Sequence, residues 1–340
     1  MTTNKTRTPN LILLAAGGTG GHVFPAEALA RELLARGWDV ELVTDGRGQA
    51  FGGDLSAVPT HRISAASPGK GIWGKLKAGV IMGRGLMQAN AMMRRMRPAA
   101  VVGFGGYPSV PAVMAAAGAQ VPVVIHEQNA VLGRANGMLS AGAKVIATAF
   151  PSVAKLGKGG EAKLARVGNP VREPVAARRR ATYAAPAAGG PINLFVMGGS
   201  QGAAAFSELL PAALALARAA LRARVRLAQQ ARPEDLTRAR EALGVLGLAE
   251  ATVESFFRDA PERLEACQLA ITRAGASTIA ELTCIGRPAI LVPYPFAADD
   301  HQTANARAVE AAGAAICAPQ SELTPQRLAA LLTELLPDPV

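Results

Sequence analysis

Short, largely apolar runs alternate along the chain with longer Ala/Leu-rich stretches. Runs at 11–16 (LILLAA), 39–44 (DVELVT), 100–104 (AVVGF), 121–125 (VPVVI) and 144–148 (KVIAT) read as strands. They lack the strict alternation of a half-exposed strand. Burial on both faces follows, and with it a parallel sheet covered by helices. Residues 25–36 (PAEALARELLAR) read as a helix, with Pro25 in its first turn and Gly37 just past its end.

The pattern restarts after a Pro/Gly/Ala-rich link at 184–193. A strand NLFVMGG leads into SQGAAAFSELLPAALALA, and further strands read at 224–228, 251–256, 268–272 and 289–293. A chain of 340 residues is long enough for two domains. The prediction is α/β: two doubly wound, Rossmann-like domains with a cleft between them. The boundary is placed in VGNPVREPV (167–175), where two prolines interrupt the chain. This gives domains 1–166 and 167–340, with the last helix a candidate to pack back on the first domain.

Each half opens with a strand, a glycine-rich turn and a helix: GGTGGH at 17–22 and GGSQGA at 198–203. Such turns often hold phosphate, because free N–H groups and the positive end of the helix dipole meet there. A dinucleotide fingerprint is not complete: from Gly18 the chain reads G-T-G-G-H-V, with Val23 where a third glycine belongs. No G-x-x-x-x-G-K-[ST] occurs, which excludes a P-loop. No Asp-x-Asp follows a strand, so the sequence calls for no metal and no cofactor. Four more polar segments fall at predicted strand ends: FGGYPS (104–109), HEQNAVLGRAN (126–136), TRAGASTIAEL (272–282) and PYPFAADDHQTANA (293–306). Open α/β sheets bind ligands at that edge.

Composition adds four points. Three cysteines, Cys267, Cys284 and Cys317, fit no metal spacing and read as reduced thiols of a cytoplasmic protein. Residues 1–10 are polar, and no early segment reads as a signal peptide. The longest charge-free run, from Pro98 to Ile125, is broken by glycines and prolines, so no transmembrane helix is predicted. The net charge of +11 is uneven: residues 1–165 carry +10 and 166–340 carry +1. Between Asp54 and Glu127 there is no acidic residue, while Arg62, Lys70, Lys75, Lys77, Arg84, Arg94, Arg95 and Arg97 fall in that window. A basic surface of this kind suits an anionic partner, either nucleic acid or an acidic membrane.

Taken in order, GGTGGHVFPA, GFGGYPS, HEQNA, VGNPVR, GGSQGA, RAGASTIAEL and PYPFAADDHQTANA resemble the MurG family across residues 11–306. That family comprises the N-acetylglucosaminyltransferases of bacterial peptidoglycan synthesis. The resemblance implies a GT-B fold. It also implies transfer of N-acetylglucosamine from UDP-N-acetylglucosamine to the 4-hydroxyl of the muramoyl sugar of lipid I. The products are lipid II and UDP, formed with inversion and without a required metal, at the cytoplasmic face of the inner membrane.

Carried over residue by residue, the second domain binds the donor. Ser200 and Gln201 would meet its diphosphate together with Arg172. Ala276, Ser277, Thr278, Ile279, Ala280 and Glu281 would line the nucleotide, with Glu281 on the ribose hydroxyls. Phe257 would offer a backbone contact to uracil, and Gln302 would reach the donor sugar. His301 departs from the pattern, standing where a second glutamine is expected. Thr19, Gly20, Gly21, His22 and Asn129 would approach the acceptor and the donor sugar from the first domain. An inverting transfer needs a base near the attacking hydroxyl. His22 is the candidate, by its position at a glycine turn and its near-neutral pKa. Glu127 and His126 are alternatives, either of which could orient rather than deprotonate.

A polyprenyl-linked acceptor requires work at a bilayer, which gives the basic window a use. In 70–97, Ile72, Trp73, Leu76, Val80 and Met87 fall within an arc of about 100° on a helical wheel. Lys77 and Arg84 flank that arc, as in an interfacial segment. The opposing reading is a core-facing helix with solvated lysines, and the glycines at 71, 74, 79, 83 and 85 weigh against any helix. Nucleic acid fits less well, because the window has almost no aromatics to stack bases. Two rivals for the whole protein are a different GT-B enzyme, such as a sugar-nucleotide 2-epimerase, and a non-catalytic membrane scaffold.

Overall fold

A computed structural model describes residues 10–17, 20–46, 51–52, 55–69, 71–179, 181–199 and 203–336. The chain forms two compact units, Met1–Arg172 and Glu173–Val340. The first runs β1 (Leu11–Ala15), α1 (Gly20–Ala35), β2 (Asp39–Thr44), β3 (Thr60–Arg62), α2 (Gly71–Met96), β4 (Ala100–Gly103), α3 (Ser109–Gly118), β5 (Val123–Glu127), α4 (Arg134–Leu139), β6 (Val145–Thr148) and β7 (Leu164–Arg166). Its strands make one parallel sheet in the order β3-β2-β1-β4-β5-β6-β7.

The apolar strands are buried on both faces. In β1, Leu11, Leu13 and Ala15 join the core beneath α3, whereas Ile12 and Leu14 join a second core with Ala26 and Ala30 of α1. Helix α1 begins at Gly20, five residues before the predicted start, so Pro25 is an interior residue. There it leaves one i→i−4 backbone bond unmade, a cost that the packing of Ala26 and Ala30 in the core offsets. The unit ends six residues beyond the predicted boundary. Among the contacts that hold the extra segment, the Val167 and Gly168 N–H groups donate to the Thr148 carbonyl, His126 Nε2 donates to the Gly168 carbonyl at 3.0 Å, and the Arg172 guanidinium lies 4.8 Å over the Phe24 ring of α1.

Helix α2 is continuous over 26 residues despite its five glycines. Packing overrides propensity here. A Cβ on Gly85 would sit 1.9 Å from the Ser64 carbonyl oxygen, so glycine lets the helix lie against that loop. Gly85→Ala is predicted to destabilise the first unit by about 1–3 kcal/mol through overpacking. Denaturant melts would measure this, and an unchanged midpoint would contradict it.

The second unit runs α5 (Glu173–Ala176), β8 (Ile192–Met197), α6 (Ala204–Leu216), α7 (Ala219–Arg222), β9 (Val225–Gln230), α8 (Leu236–Gly244), β10 (Glu250–Glu254), α9 (Ala260–Ala266), β11 (Leu269–Thr272), α10 (Ala276–Ile285), β12 (Ala289–Leu291), α11 (His301–Ala311), β13 (Ala315–Cys317) and α12 (Pro325–Leu335). Its parallel sheet has the order β10-β9-β8-β11-β12-β13. Helix α12 packs along α6, with Leu328 and Leu332 in the same core as Leu210 and Leu214. All three cysteines are free thiols in this unit, and burial pushes the Cys267 thiol up to about 12.

Candidate active site

In both sheets the strand order reverses once, between β1 and β4 and between β8 and β11. Loops leaving the carboxyl ends of such a pair diverge and open a crevice. In the first unit these loops are GGTGGH and GFGGY; in the second they are GGSQGA and RAGAS.

In the first unit Gly20, Gly21 and His22 form the opening turn of α1, whose backbone N–H groups lack helical acceptors. The next turn folds over the histidine. Gly105 and Gly106 have φ of +87° and +72°, a region that favours glycine. A Cβ at Gly105 would lie 3.3 Å from His22 Cε1, and one at Gly106 would lie 2.9 Å from the Gly17 carbonyl. The two glycines therefore close the turn onto the imidazole. Behind it, Gln128 Oε1 lies 3.3 Å from His22 Nδ1.

His126 and Glu127 are the last residues of β5, in register with Ala147 and Thr148, rather than loop residues. Burial pulls the pKa of His126 below the usual histidine value. Glu127 is 1% exposed, and both carboxylate oxygens are engaged. Oε1 accepts from the Asn129 backbone N–H at 3.0 Å and from Asn129 Nδ2 at 3.2 Å. Oε2 accepts from the Gly133 N–H at 2.9 Å and from Asn136 Nδ2 at 2.8 Å. This carboxylate organises the HEQNAVLGRAN segment and sets the place of Asn129. Asn136, whose role the sequence did not reveal, also donates to the His126 carbonyl at 3.0 Å.

In the second unit, the Gly198 N–H at the start of GGSQGA donates to Gln230 Oε1 at 3.1 Å. Thr19, Ser200 and Gln201 lie outside the described residues. Residues Ala276–Glu281 form the first turns of α10, with Ile279 and Glu281 buried and the rest half-buried. Glu281 is therefore not a solvated surface carboxylate. Gln302 stands on α11 and accepts from two backbone donors through Oε1, Ala274 at 3.2 Å and Tyr294 at 2.9 Å. Asn305, one turn on, donates to the Ala274 carbonyl at 3.1 Å. The same helix face thus pins the RAGAS loop twice. His301 Nδ1 donates to the Ala298 carbonyl at 2.8 Å, a capping contact.

Arg273 fixes the neighbouring loop. It donates to the Val292 and Pro293 carbonyls at 3.2 Å and to Gln320 at 2.7 Å, and it stacks over Phe206 and Tyr294. Phe257 turns its ring into the unit, edge-on to Phe195 and beneath Arg263. No local sequence signal marks Gln230, Arg273 or Asn305 as loop-fixing residues. Each bonds to backbone 19 to 32 residues away, and only the fold brings those partners together.

Among the described residues no three His, Cys, Asp or Glu side chains converge as a metal set. The first unit offers a glycine-turn helix start for an anion beside a half-buried histidine, and each unit offers fixed amide and backbone groups at its strand ends.

The glycosyltransferase family 28 N-terminal domain matches residues 12–148, and the family 28 C-terminal domain matches 193–339. A UDP-N-acetylglucosamine--N-acetylmuramyl-(pentapeptide) pyrophosphoryl-undecaprenol N-acetylglucosamine transferase of Rhodospirillum centenum is 58% identical, covering 96% of this chain and 86% of its own. The chain belongs to the MurG family. A second MurG-family relative with the same name, from Paramagnetospirillum magneticum, is 55% identical over 97% of this chain and 89% of its own. The crystal structure of Acinetobacter baumannii MurG superposes with a TM-score of 0.78 at 31% identity, covering 97% of this chain and 91% of that one. The MurG-family fold is GT-B, and the two Rossmann-like units are its halves.

Proposed function

We infer that this protein transfers N-acetylglucosamine from UDP-N-acetylglucosamine to the 4-hydroxyl of the muramoyl sugar of lipid I, giving lipid II and UDP. The observation that carries this reading is the 58% identity, over 96% of the chain, to a relative named for that reaction. The hydroxyl oxygen attacks the anomeric carbon from the face opposite the diphosphate. A C–O bond forms, the bond to the β-phosphate oxygen breaks, and its electron pair leaves with UDP. The configuration inverts.

His22 takes the hydroxyl proton. Its two opening-turn neighbours, Gly20 and Gly21, present N–H groups to the acceptor diphosphate, with Thr19 beside them. Asn129, held in place by Glu127, contacts the sugar. Four donors on Glu127 support an orienting rather than a proton-accepting role for that carboxylate.

On the donor side, Ser200, Gln201 and Arg172 meet the diphosphate, and Glu281 accepts from the ribose hydroxyls. Phe257 meets uracil through its backbone, and Ala276–Ala280 line the nucleotide. Gln302 offers its amide hydrogens to the sugar. The charge that develops on UDP is stabilised by preset backbone dipoles and by Arg172, without a metal.

The protein works as a peripheral protein at the cytoplasmic face of the inner membrane, and α2 carries the contact. From Gly71 to Gly83 of that helix only Ala78 is buried. Ile72, Trp73, Leu76, Val80 and Met87 are exposed, beside exposed Lys75, Lys77 and Arg84. This apolar arc therefore does not face the core. Lys70 lies outside the described residues. Among the described residues no helix is long and apolar enough to cross a membrane.

UDP release from UDP-N-acetylglucosamine is predicted to require a lipid I analogue. Release without acceptor would point instead to an epimerase-like or hydrolytic activity.

A further inference from the structure

Gln128 is 2% exposed, and its neighbours determine which end of its amide is which. Nε2 lies 3.0 Å from the Phe104 carbonyl and 3.1 Å from the His126 carbonyl. Carbonyl oxygens only accept, so the NH2 group must occupy that end. Oε1 must then be the atom facing His22 Nδ1 at 3.3 Å. An amide oxygen carries no hydrogen, so Nδ1 of His22 must supply it.

The assignment is consistent one residue further back. His126 Nε2 faces the Gly168 carbonyl at 3.0 Å and has to donate. Its Nδ1, 3.0 Å from Gln128 Nε2, then carries a lone pair and accepts. That makes His126 neutral, in keeping with its burial. The chain of bonds runs from His22 through Gln128 to His126 and the Gly168 carbonyl, with the two hydrogens of Gln128 Nε2 shared among the Phe104 carbonyl, the His126 carbonyl and His126 Nδ1. Gly105 and Gly106 lie close to the same ring: a Cβ on Gly105 would stand 3.3 Å from His22 Cε1 and one on Gly106 3.4 Å from His22 Cδ2.

We propose that Gln128 is a positioning residue that holds His22 as the Nδ1–H tautomer and so puts the lone pair on Nε2. Histidine in water favours the opposite tautomer, with hydrogen on Nε2. A base of fixed orientation needs the nitrogen that meets the substrate to be unprotonated, and a partner on the other nitrogen sets this. The tautomer itself stands on hydrogen-bond geometry; its catalytic meaning rests on the reading of His22 as the base.

The chain has four histidines, so two-bond proton–nitrogen spectra of the full-length, histidine-labelled protein are simple to assign. His22→Gln identifies the His22 signals. At about pH 8, above the usual histidine pKa, His22 is expected as Nδ1–H in the parent protein and as Nε2–H in Gln128→Met. In the same variant kcat is expected to fall about 10²-fold, the lower end of what a general base supplies, with the donor KM changed less than about twofold. An Nε2–H signal for His22 in the parent protein overturns the proposal even if Gln128→Met does not fold. So does an Nδ1–H signal that survives in the variant. A tautomer that switches while kcat is unchanged leaves the Gln128 assignment standing and removes His22 as the base.

Discussion

His22→Ala lowers turnover by about 10²–10⁴-fold, the range lost with a general base, while UDP-N-acetylglucosamine binding changes little. The split follows from where the residues stand. His22 belongs to the opening turn of α1 in the first unit, whereas Phe257, Ala276–Glu281 and Gln302 belong to the second. Loss of the imidazole should leave the fold intact, because the side chain is only half-buried and helix α1 is anchored elsewhere by Ala26 and Ala30. Turnover at saturating substrates, set beside donor affinity by calorimetry and the melting temperature, separates the effects. A variant within a few-fold of the parent would remove His22 from the chemistry and leave it as a turn-shaping residue.

Ile72→Glu with Trp73→Glu abolishes binding to anionic vesicles. These side chains are 72% and 82% exposed, so the change costs the fold little. Moving each from water into a membrane interface is worth about 1.5–3 kcal/mol, and together they account for a partition change of about 10²–10⁴-fold. Each nearby lysine or arginine adds about 1 kcal/mol of attraction to anionic lipid. Binding by the parent protein should therefore weaken as salt is raised, since surface charges are screened within about 10 Å at 0.1 M. Co-sedimentation with vesicles at two salt concentrations measures both effects. Unchanged vesicle binding in the double variant would move the contact to another surface.

Much of this molecule could be read from its sequence, and the exceptions have physical causes. Strands such as Leu11–Ala15 were legible because they are apolar on both faces. Three edge strands, Thr60–Arg62, Leu164–Arg166 and Ala315–Cys317, were not, because three residues are too few to show a period. Glycines counted against α2, yet Gly85 is what allows that helix to pack on the Ser64 loop. Only tertiary contact reveals this.

The site loops stood out because polar residues collected at strand ends. Within them, the sequence put His22 first as the base and left Glu127 and His126 as alternatives that could orient instead. The structure separates them by their hydrogen bonds: Glu127 is engaged by four donors, His126 faces a carbonyl and an amide, and His22 faces an amide oxygen through Nδ1. Arg172, which the resemblance assigns to the diphosphate, rests on Phe24, two residues beyond His22.

The central claim is sugar transfer to the lipid-linked acceptor. Its most direct test uses donor radiolabelled in the sugar, a lipid I analogue, and a chelator in excess. The prediction is label in the lipid product, attached to the muramoyl 4-hydroxyl with inverted anomeric configuration, at a rate unchanged by the chelator. Label that stays in the water-soluble fraction, with the donor consumed or not, would contradict it.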